Sequence, residues 1–277
     1  MFNDIKNILF LGPMGTNAQI AANKFIEKLN IKAELEPVYS ISRMLLKLNE
    51  NKNLLAVSPI ENSIEGIVRE TLDNTLLLSD DIYIISQTVI PISHALISFG
   101  NKEDIKTIMS HPQAISQCRN YIRKNFNNDI SLISTSSTSS AVIDLVNKDK
   151  TYGAIGNELC ARLYNVPILD QNISDIKENY TRFALIGKKP SERLVENRTS
   201  IVFSTKNEPG ALLRVLQIFK EYNLNMVYLE SRPNKITPGE YNFFVDIDKG
   251  IDEISDAILK IEKYCCFFRL LGSYSVL

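Results

Sequence analysis

Short apolar runs alternate with longer amphipathic segments along the first two thirds of the chain. Apolar runs at 8–11 and 54–57 predict strands, and apolar residues at helical spacing within 18–29 and 41–48 predict helices. The alternation returns further on, with predicted strands at 107–109, 130–134 and 152–155 and predicted helices at 112–124, 137–148 and 157–164. This pattern favours an α/β fold. Two such sets of units indicate two lobes with a cleft between them.

Two polar clusters adjoin apolar runs in this region. The cluster at 59–66 follows the second of these runs and contains carboxylate, carboxamide and hydroxyl side chains, whereas the cluster at 179–183 opens the run at 184–187 and adds a hydroxyl and a guanidinium. We expect the chain to leave the first lobe near Ile90 and to return near Asp170, so both clusters would share one cleft. Because open α/β sheets bind ligands at strand ends, these groups predict a site for an anionic small molecule.

A polar, proline-containing segment at 189–198 lacks any core-forming periodicity. We therefore place a linker there, between domains at 1–188 and 199–277. The second domain has predicted strands at 200–205, 225–232, 241–247 and 267–274, predicted helices at 210–222 and 251–264, and a turn at Pro238 and Gly239. The order βαββαβ is typical of a ferredoxin-like sandwich. Such a small domain favours pairing with a second copy.

Charge and composition exclude several classes of function. The chain has 277 residues with 31 basic and 32 acidic side chains, which argues against nucleic acid or an anionic membrane as the main partner. The first thirty residues have no signal-peptide pattern, so we expect a cytoplasmic protein. Four cysteines without CxxC spacing and only two histidines argue against a metal site.

Motifs of one family run through nearly the whole chain. They are LGP-x-GT at 11–16, PIENS-x-EG at 59–66, SHPQA at 110–114, TSST at 135–138, TRF at 181–183, PGAL at 209–212 and ESRP at 230–233. In this order they resemble prephenate dehydratase followed by an ACT domain. The resemblance implies a two-lobed catalytic domain like the type II periplasmic binding proteins, with a ferredoxin-like ACT domain after it. It also implies decarboxylating dehydration of prephenate to phenylpyruvate, feedback regulation by L-phenylalanine, no cofactor, and a homodimer or homotetramer.

The resemblance further implies the roles of individual residues. The implied catalytic residues are Thr181, Asn62, Gln117 and Ser110. The implied substrate-binding residues are Thr16, Glu61, Ser63, Ser136, Ser137, Thr138, Arg182 and Phe183. The implied phenylalanine-binding residues are Gly210, Ala211, Leu212, Asn225, Glu230, Ser231 and Arg232, at an interface between two ACT domains.

Elementary chemistry restricts the roles that Thr181, Arg182 and Glu61 can have. The alcohol of Thr181 is a weak acid, so a hydrogen bond that strengthens as charge develops on the leaving oxygen is easier than full proton transfer. Arg182 suits bidentate carboxylate recognition, but a residue next to Thr181 on a strand points to the opposite face and could instead be structural. Glu61 would repel a dianionic substrate, so pairing with a cation is the simpler expectation.

Helix starts offer further candidate contacts. The loop at 12–16 leads into a predicted helix, whose first backbone N–H groups would attract a carboxylate. The family usually has an acidic residue at the position of Met14 and Phe-Ser at 17–18, where this chain has Asn-Ala. Ser110 and His111 stand just before a predicted helix and are also explained as caps.

Two other functions stay open. Arogenate dehydratase differs only in the substrate side chain, and no residue decides between the two. A non-catalytic two-lobed ligand-binding protein with an amino-acid sensor domain would share the fold, because fold does not imply function. The intact Thr181 argues against the sensor, and turnover of prephenate by the purified protein would exclude it. Gly210, likewise, is explained either by close approach of a ligand or by a tight loop.

Overall fold

The computed structural model describes residues 2–127, 129–188, 195–234 and 239–277. The first lobe contains β1 (Asn7–Leu11), α1 (Asn17–Leu29), β2 (Glu34–Val38), α2 (Ile41–Glu50), β3 (Leu54–Asn62), β4 (Gly66–Ile67), α3 (Arg69–Thr75) and β5 (Ile82–Pro91). The second lobe contains β6 (Ala95–Ile97), β7 (Thr107–Ser110), α4 (Pro112–Gln117), α5 (Arg119–Asn125), β8 (Ser131–Ser134), α6 (Thr138–Leu145), β9 (Tyr152–Gly156), α7 (Glu158–Leu163) and β10 (Ile168–Asp170). The chain returns to the first lobe through β11 (Tyr180–Lys188), as the sequence predicts.

The C-terminal domain follows the predicted βαββαβ order. Its elements are β12 (Arg198–Ser204), α8 (Ala211–Glu221), β13 (Met226–Pro233), β14 (Tyr241–Ile247), α9 (Ile251–Glu262) and β15 (Phe267–Val276). No end differs from the sequence prediction by more than two residues. Residues 189–194 of the predicted linker and Pro238 of the predicted turn lie outside the described residues.

Two sheets organise the part of the chain that the structure describes. One sheet runs in the order β13-β14-β12-β15-β5-β11-β3-β1-β2, with β4 paired to β3, and the other in the order β10-β6-β9-β7-β8. In the first sheet, β1 lies parallel to β2 and β3, whereas β11 lies antiparallel to β3 and β5. The two sheets therefore correspond to the two lobes, and the first of them continues into the C-terminal domain.

The C-terminal sheet covers the first lobe with one of its faces. Because side chains alternate along β12, Ile201 and Phe203 pack with α8 and α9, whereas Val202 packs in a cluster with Ala184 and Ile186 of β11. The end of β15 also pairs in parallel with β5. The first lobe and the C-terminal domain thus share one hydrophobic core.

The single helix predicted at 112–124 is wrong, because Cys118 divides it into α4 and α5. The carbonyl of Gln117 accepts a hydrogen bond from the backbone N–H of Asp175, at 2.7 Å, instead of continuing one helix. The carboxylate of Asp175 accepts from the N–H of Asn120 at the start of α5, at 3.1 Å. A segment distant in the sequence therefore ends α4 at Gln117 and begins a new helix.

The described ranges contain neither a membrane-spanning helix nor a metal-binding cluster of side chains. No helix there has the length and apolar character needed to cross a membrane. Nor do the side chains in those ranges form a group of three or more histidine, cysteine, aspartate or glutamate residues suited to a metal ion.

Candidate active site

A cavity of about 920 Å³ lies between the two lobes. Side chains of the first lobe and β11 form one wall, and the starts of α4 and α6 form the other. Of the residues assigned to catalysis or substrate binding from the sequence, those that line the cavity are Thr16, Asn62, Gln117, Ser136, Ser137, Thr138, Thr181 and Phe183. The fold thus brings five separate segments of the chain to one cavity.

Asn62 and Thr181 face each other across the β3–β11 ladder. The Asn62 Oδ1 atom accepts hydrogen bonds from the backbone N–H groups of Ile64 and Glu65, both at 3.0 Å. The Nδ2 atom donates to the carbonyl of Tyr180, at 3.0 Å, and to Oγ1 of Thr181, at 2.9 Å. Since the backbone N–H groups can only donate and the carbonyl can only accept, they determine the orientation of the Asn62 amide.

This orientation determines the hydrogen bonding of the Thr181 hydroxyl. Its oxygen accepts from Asn62, so its proton must point elsewhere. Among the described residues, no protein group accepts that proton at hydrogen-bonding distance, and Thr181 lines the cavity. Thr181 can therefore donate a hydrogen bond to a molecule in the cavity.

A series of side-chain hydrogen bonds continues from Asn62 toward the second lobe. Asn62 Nδ2 also lies 2.8 Å from Oδ1 of Asn179, so its two N–H groups are shared among three acceptors, and Nδ2 of Asn179 donates to Oε1 of Gln117, at 3.2 Å. The Gln117 Nε2 atom donates to the carboxylate of Glu65, at 3.2 Å. Glu65 also accepts from Nε2 of Gln113, at 3.0 Å. Glu65 therefore joins the first lobe to α4 of the second lobe.

The same bonds identify the tautomer of His94. Because Nε2 of Gln117 donates to Glu65, the Oε1 atom of Gln117 is the acceptor that lies 2.9 Å from Nε2 of His94. His94 therefore carries a proton on Nε2. Burial lowers the pKa of His94 from its ordinary value of 6.5, and the hydrogen bond to Gln117 opposes this effect less strongly. The imidazole is consequently neutral at neutral pH and holds Gln117 in place.

Two helices begin at the cavity. Thr16 caps α1, where its Oγ1 accepts from the N–H of Gln19, and Ser137 caps α6 in the same way through the N–H of Ser140. Among the described residues that line the cavity there is no lysine or arginine. Neutral hydroxyl, amide and backbone donors at the positive ends of α1 and α6 are therefore the groups available to bind an anion.

Four residues assigned to the site do not line the cavity. The assignment is wrong for Ser110 and Ser63, whereas Arg182 and Glu61 follow the alternative drawn from the sequence, in which Arg182 points to the opposite face and Glu61 pairs with a cation. Ser110 is fully buried and donates to the carbonyl of Ile155, at 2.7 Å, behind the cavity wall. Ser63 accepts from the N–H of Tyr180, at 3.0 Å, and closes the turn beside β11. Arg182 and Glu61 point to the other face of the sheet, because successive strand residues alternate between faces.

The cavity residues missed from the sequence include Glu65, Asn179 and His94. Glu65 lies inside the PIENS-x-EG motif and Asn179 begins the second polar cluster, so both had a sequence signal. His94 stands in an otherwise ordinary segment, and only the packing of Gln117 against it shows its place in the site. A lone histidine in a sequence does not indicate its partner.

The residues assigned to phenylalanine binding fall into separated groups within one chain. Gly210 has φ of 81° and is the N-cap residue before α8, while Glu230, Ser231 and Arg232 lie near the end of β13. Arg232 forms an ion pair with Asp73 of α3, at 3.0 Å, rather than with its neighbour Glu230. Asn225 precedes β13 and lies at the opposite end of that strand. A single copy of the chain does not bring all seven residues together.

Comparison with known proteins identifies the family. The sequence profile of prephenate dehydratase matches residues 8–191, and that of the ACT domain matches residues 199–265. The chain belongs to the prephenate dehydratase family. It is 40% identical over 275 residues to a prephenate dehydratase of Methanocaldococcus jannaschii, with 98% of each chain covered. It is also 32% identical over 240 residues to arogenate dehydratase/prephenate dehydratase 1 of Arabidopsis thaliana, covering 79% of this chain and 60% of that one.

A solved structure supports the fold. The prephenate dehydratase of Arthrobacter aurescens in complex with L-Phe superimposes with a TM-score of 0.84 at 28% identity, covering 97% of this chain and 90% of that one. The two-lobed α/β region followed by an ACT domain, predicted from the sequence, is thereby confirmed.

Proposed function

We propose that this chain converts prephenate to phenylpyruvate. In this reaction the ring carboxylate leaves as carbon dioxide, its bonding electron pair enters the ring, and the ring carbon–oxygen bond breaks. The departing hydroxide takes up a proton and becomes water. The observation that carries the proposal is the Thr181 hydroxyl on the cavity wall, because its oxygen accepts from Asn62 and its proton is available to the leaving oxygen.

The role of Thr181 is a hydrogen bond that strengthens during the reaction. As the carbon–oxygen bond breaks, negative charge develops on the leaving oxygen and the Thr181 donor stabilises it. One donor of this kind contributes roughly 100–1000-fold to turnover. Asn62 keeps the Thr181 hydroxyl directed into the cavity. His94 orients Gln117, which accepts a hydrogen bond from Asn179, and Asn179 in turn accepts one from Asn62. These bonds hold Asn62 in position.

The two carboxylates of prephenate require two anion sites. We place one at the start of α1, beside Thr16, and the other at the start of α6, beside Ser137 and Thr138, because these helix ends face the cavity from opposite lobes. Binding at both ends would hold the lobes together around the substrate. Phe183 supplies apolar surface for the ring.

Arogenate is a second candidate substrate, and one observation favours it. The cavity is lined by the carboxylates of Glu65 and Asp144, and the described lining residues include no lysine or arginine to balance them. Arogenate differs from prephenate by carrying an ammonium group in place of the keto oxygen, and Glu65 is an available partner for it. Replacement of this carboxylate by an amide would then lower kcat/KM for arogenate more than for prephenate.

The experiment that tests the function uses the purified protein with each substrate separately. Phenylpyruvate is followed with prephenate, and phenylalanine with arogenate, in the wild type and in Glu65→Gln. We expect turnover of prephenate. Binding of prephenate without turnover would instead support the ligand-binding sensor, and preference for arogenate that is lost in Glu65→Gln would establish the second candidate.

We further propose that L-phenylalanine is the effector and that it binds between two C-terminal domains of a homodimer or homotetramer. The Arthrobacter aurescens relative contains L-Phe. Only an arrangement of two copies can bring Asn225 toward the segment at Gly210 or the segment at Glu230, since these lie apart in one chain. The cytoplasmic location stays a prediction from the sequence.

A further inference from the structure

Arg182 follows Thr181 in the sequence but points away from the cavity toward the C-terminal domain. Its Nη1 atom donates to Oδ2 of Asp246 on β14, at 2.7 Å, and its Nη2 atom lies 3.3 Å from the carboxylate of Glu61. The side chains of Arg182 and Asp246 are only 11% and 8% exposed. A buried ion pair therefore joins the C-terminal domain to the strand residue that adjoins Thr181.

Hydrogen bonds within the C-terminal domain fix the position of Asp246. Oδ1 of Asp246 accepts from the hydroxyl of Ser200 on β12, at 2.5 Å, and that hydroxyl lies 2.5 Å from the buried hydroxyl of Tyr274 on β15. The guanidinium of Arg182 also stacks over the ring of Tyr228 on β13, 4.5 Å from its centre. Groups from all four strands of the C-terminal sheet thus determine where Arg182 lies.

Arg182, the first-lobe member of this ion pair, lies in an irregular part of the β3–β11 ladder. Thr181 pairs with Asn62 and Arg182 with Glu61, but the next residue, Phe183, pairs with Pro59. Ile60 is therefore an extra residue on β3, which makes a β-bulge. A bulge locally disrupts the ladder and re-aims the side chains next to it.

We propose that Asp246 of the C-terminal domain is a positioning residue of the active site. It acts through Arg182, whose guanidinium holds both β11 and the Glu61 carboxylate next to the bulge, and so it aligns the Asn62–Thr181 pair. A movement of the C-terminal sheet that withdraws Asp246 removes the shorter of the two ion pairs of the buried guanidinium, leaves Glu61 as its remaining charged partner, and lets the end of the ladder shift. This contact is then the path by which the state of the C-terminal domain reaches the Thr181 donor. The inference uses the proposed function for its kinetic readout only.

The test compares two ion pairs that cross the same domain boundary. Asp246→Asn keeps the shape of the side chain and an oxygen for Ser200 but removes its charge. The matched control is Asp73→Asn, which removes the carboxylate charge of α3 that pairs with Arg232 of β13 rather than with Arg182. We expect Asp246→Asn to lower kcat about tenfold with little change in KM, in the range of coupling energies known for residues between linked sites. Asp73→Asn should change kcat by less than about twofold.

A double variant separates positioning from general damage. If Asp246 acts through Thr181, Asp246→Asn will cost nothing further in the residual turnover of Thr181→Val, whereas damage elsewhere would add to it. Additive losses, an Asp246→Asn enzyme with wild-type kcat, or equal losses in Asp73→Asn would each overturn the inference. If Asp246→Asn does not fold, Ser200→Ala replaces it, because it loosens Asp246 while leaving the charge in place; a smaller fall in kcat is then expected.

Amide hydrogen exchange provides a readout that does not depend on turnover. Asp246→Asn should speed exchange in the segment at 178–184 relative to both the wild type and Asp73→Asn. If the wild type acts on neither substrate, the proposed function fails, and this exchange comparison alone decides whether Asp246 positions Thr181. Unchanged exchange at 178–184 would overturn the inference.

Discussion

Nδ2 of Asn62 lies 2.9 Å from Oγ1 of Thr181, across one rung of the β3–β11 ladder. Backbone groups on both sides of the Asn62 amide determine its orientation, so the threonine oxygen is the acceptor in this bond. A hydroxyl that accepts one hydrogen bond becomes a better donor in the next, because successive bonds polarise one another. The Thr181 hydroxyl is therefore placed to donate a hydrogen bond into the cavity.

Thr181→Val is expected to lower kcat sharply while the fold is retained. Valine has nearly the same shape, so the loss reports the hydroxyl, and removal of one such donor costs about 3 kcal/mol in the barrier, roughly a hundredfold. Steady-state kinetics with prephenate measure the effect. Thr181→Ser is the control, since it keeps the hydroxyl and should retain most of the turnover. Wild-type kinetics in Thr181→Val would remove Thr181 from the mechanism.

Asn62→Asp is expected to reduce turnover to about the level of Thr181→Val. A carboxylate cannot donate to Thr181, so the threonine hydroxyl would donate to it instead of to the substrate, and the new charge would repel a dianion. The double variant Asn62→Asp/Thr181→Val should be little worse than either single variant, because both remove the same donor. Strictly additive losses would show that Asn62 and Thr181 act separately.

His94 is expected to make stability depend on pH in the mildly acidic range. Its folded-state pKa lies below the ordinary 6.5, so the unfolded chain binds a proton first as the pH falls. The free energy of unfolding therefore falls between pH 6.5 and the lower folded-state value, by at most about 1.4 kcal/mol per pH unit for one group. Urea unfolding at several pH values should show a shallower fall in His94→Gln. Equal slopes in the variant and the wild type would contradict the neutral, buried imidazole.

A chain ending at Lys188 is expected to be much less stable than the full protein. The C-terminal sheet covers Ile84 and Ile186, which belong to the shared core, and uncovering two such side chains costs roughly 3–6 kcal/mol at about 1.5–3 kcal/mol each. Thermal unfolding followed by circular dichroism, with the full-length chain as control, measures the difference. A truncated chain with an unchanged melting temperature would show that the two regions are energetically independent.

The C-terminal domain was the part most open to prediction from the sequence. Its strands and helices follow periodic apolar patterns separated by turn residues, and local pattern was sufficient to locate every element to within two residues. The sharing of the cleft by the clusters at 59–66 and 179–183 was also predictable, because both stand at strand ends and the chain had to return to the first lobe before the second cluster.

Tertiary structure decided which side chains of those clusters face the cavity. Thr181 and Arg182 are neighbours in one motif, yet Thr181 lines the cavity while Arg182 pairs with Asp246, which lies 64 residues further along the chain. The break between α4 and α5 and the contact of His94 with Gln117 likewise depend on groups remote in the sequence. The sequence by itself determined the elements and their chemistry, since these follow from local periodicity and side-chain type. The partners of each polar group were decided only by the folded chain, because burial brings together residues whose spacing in the sequence carries no signal.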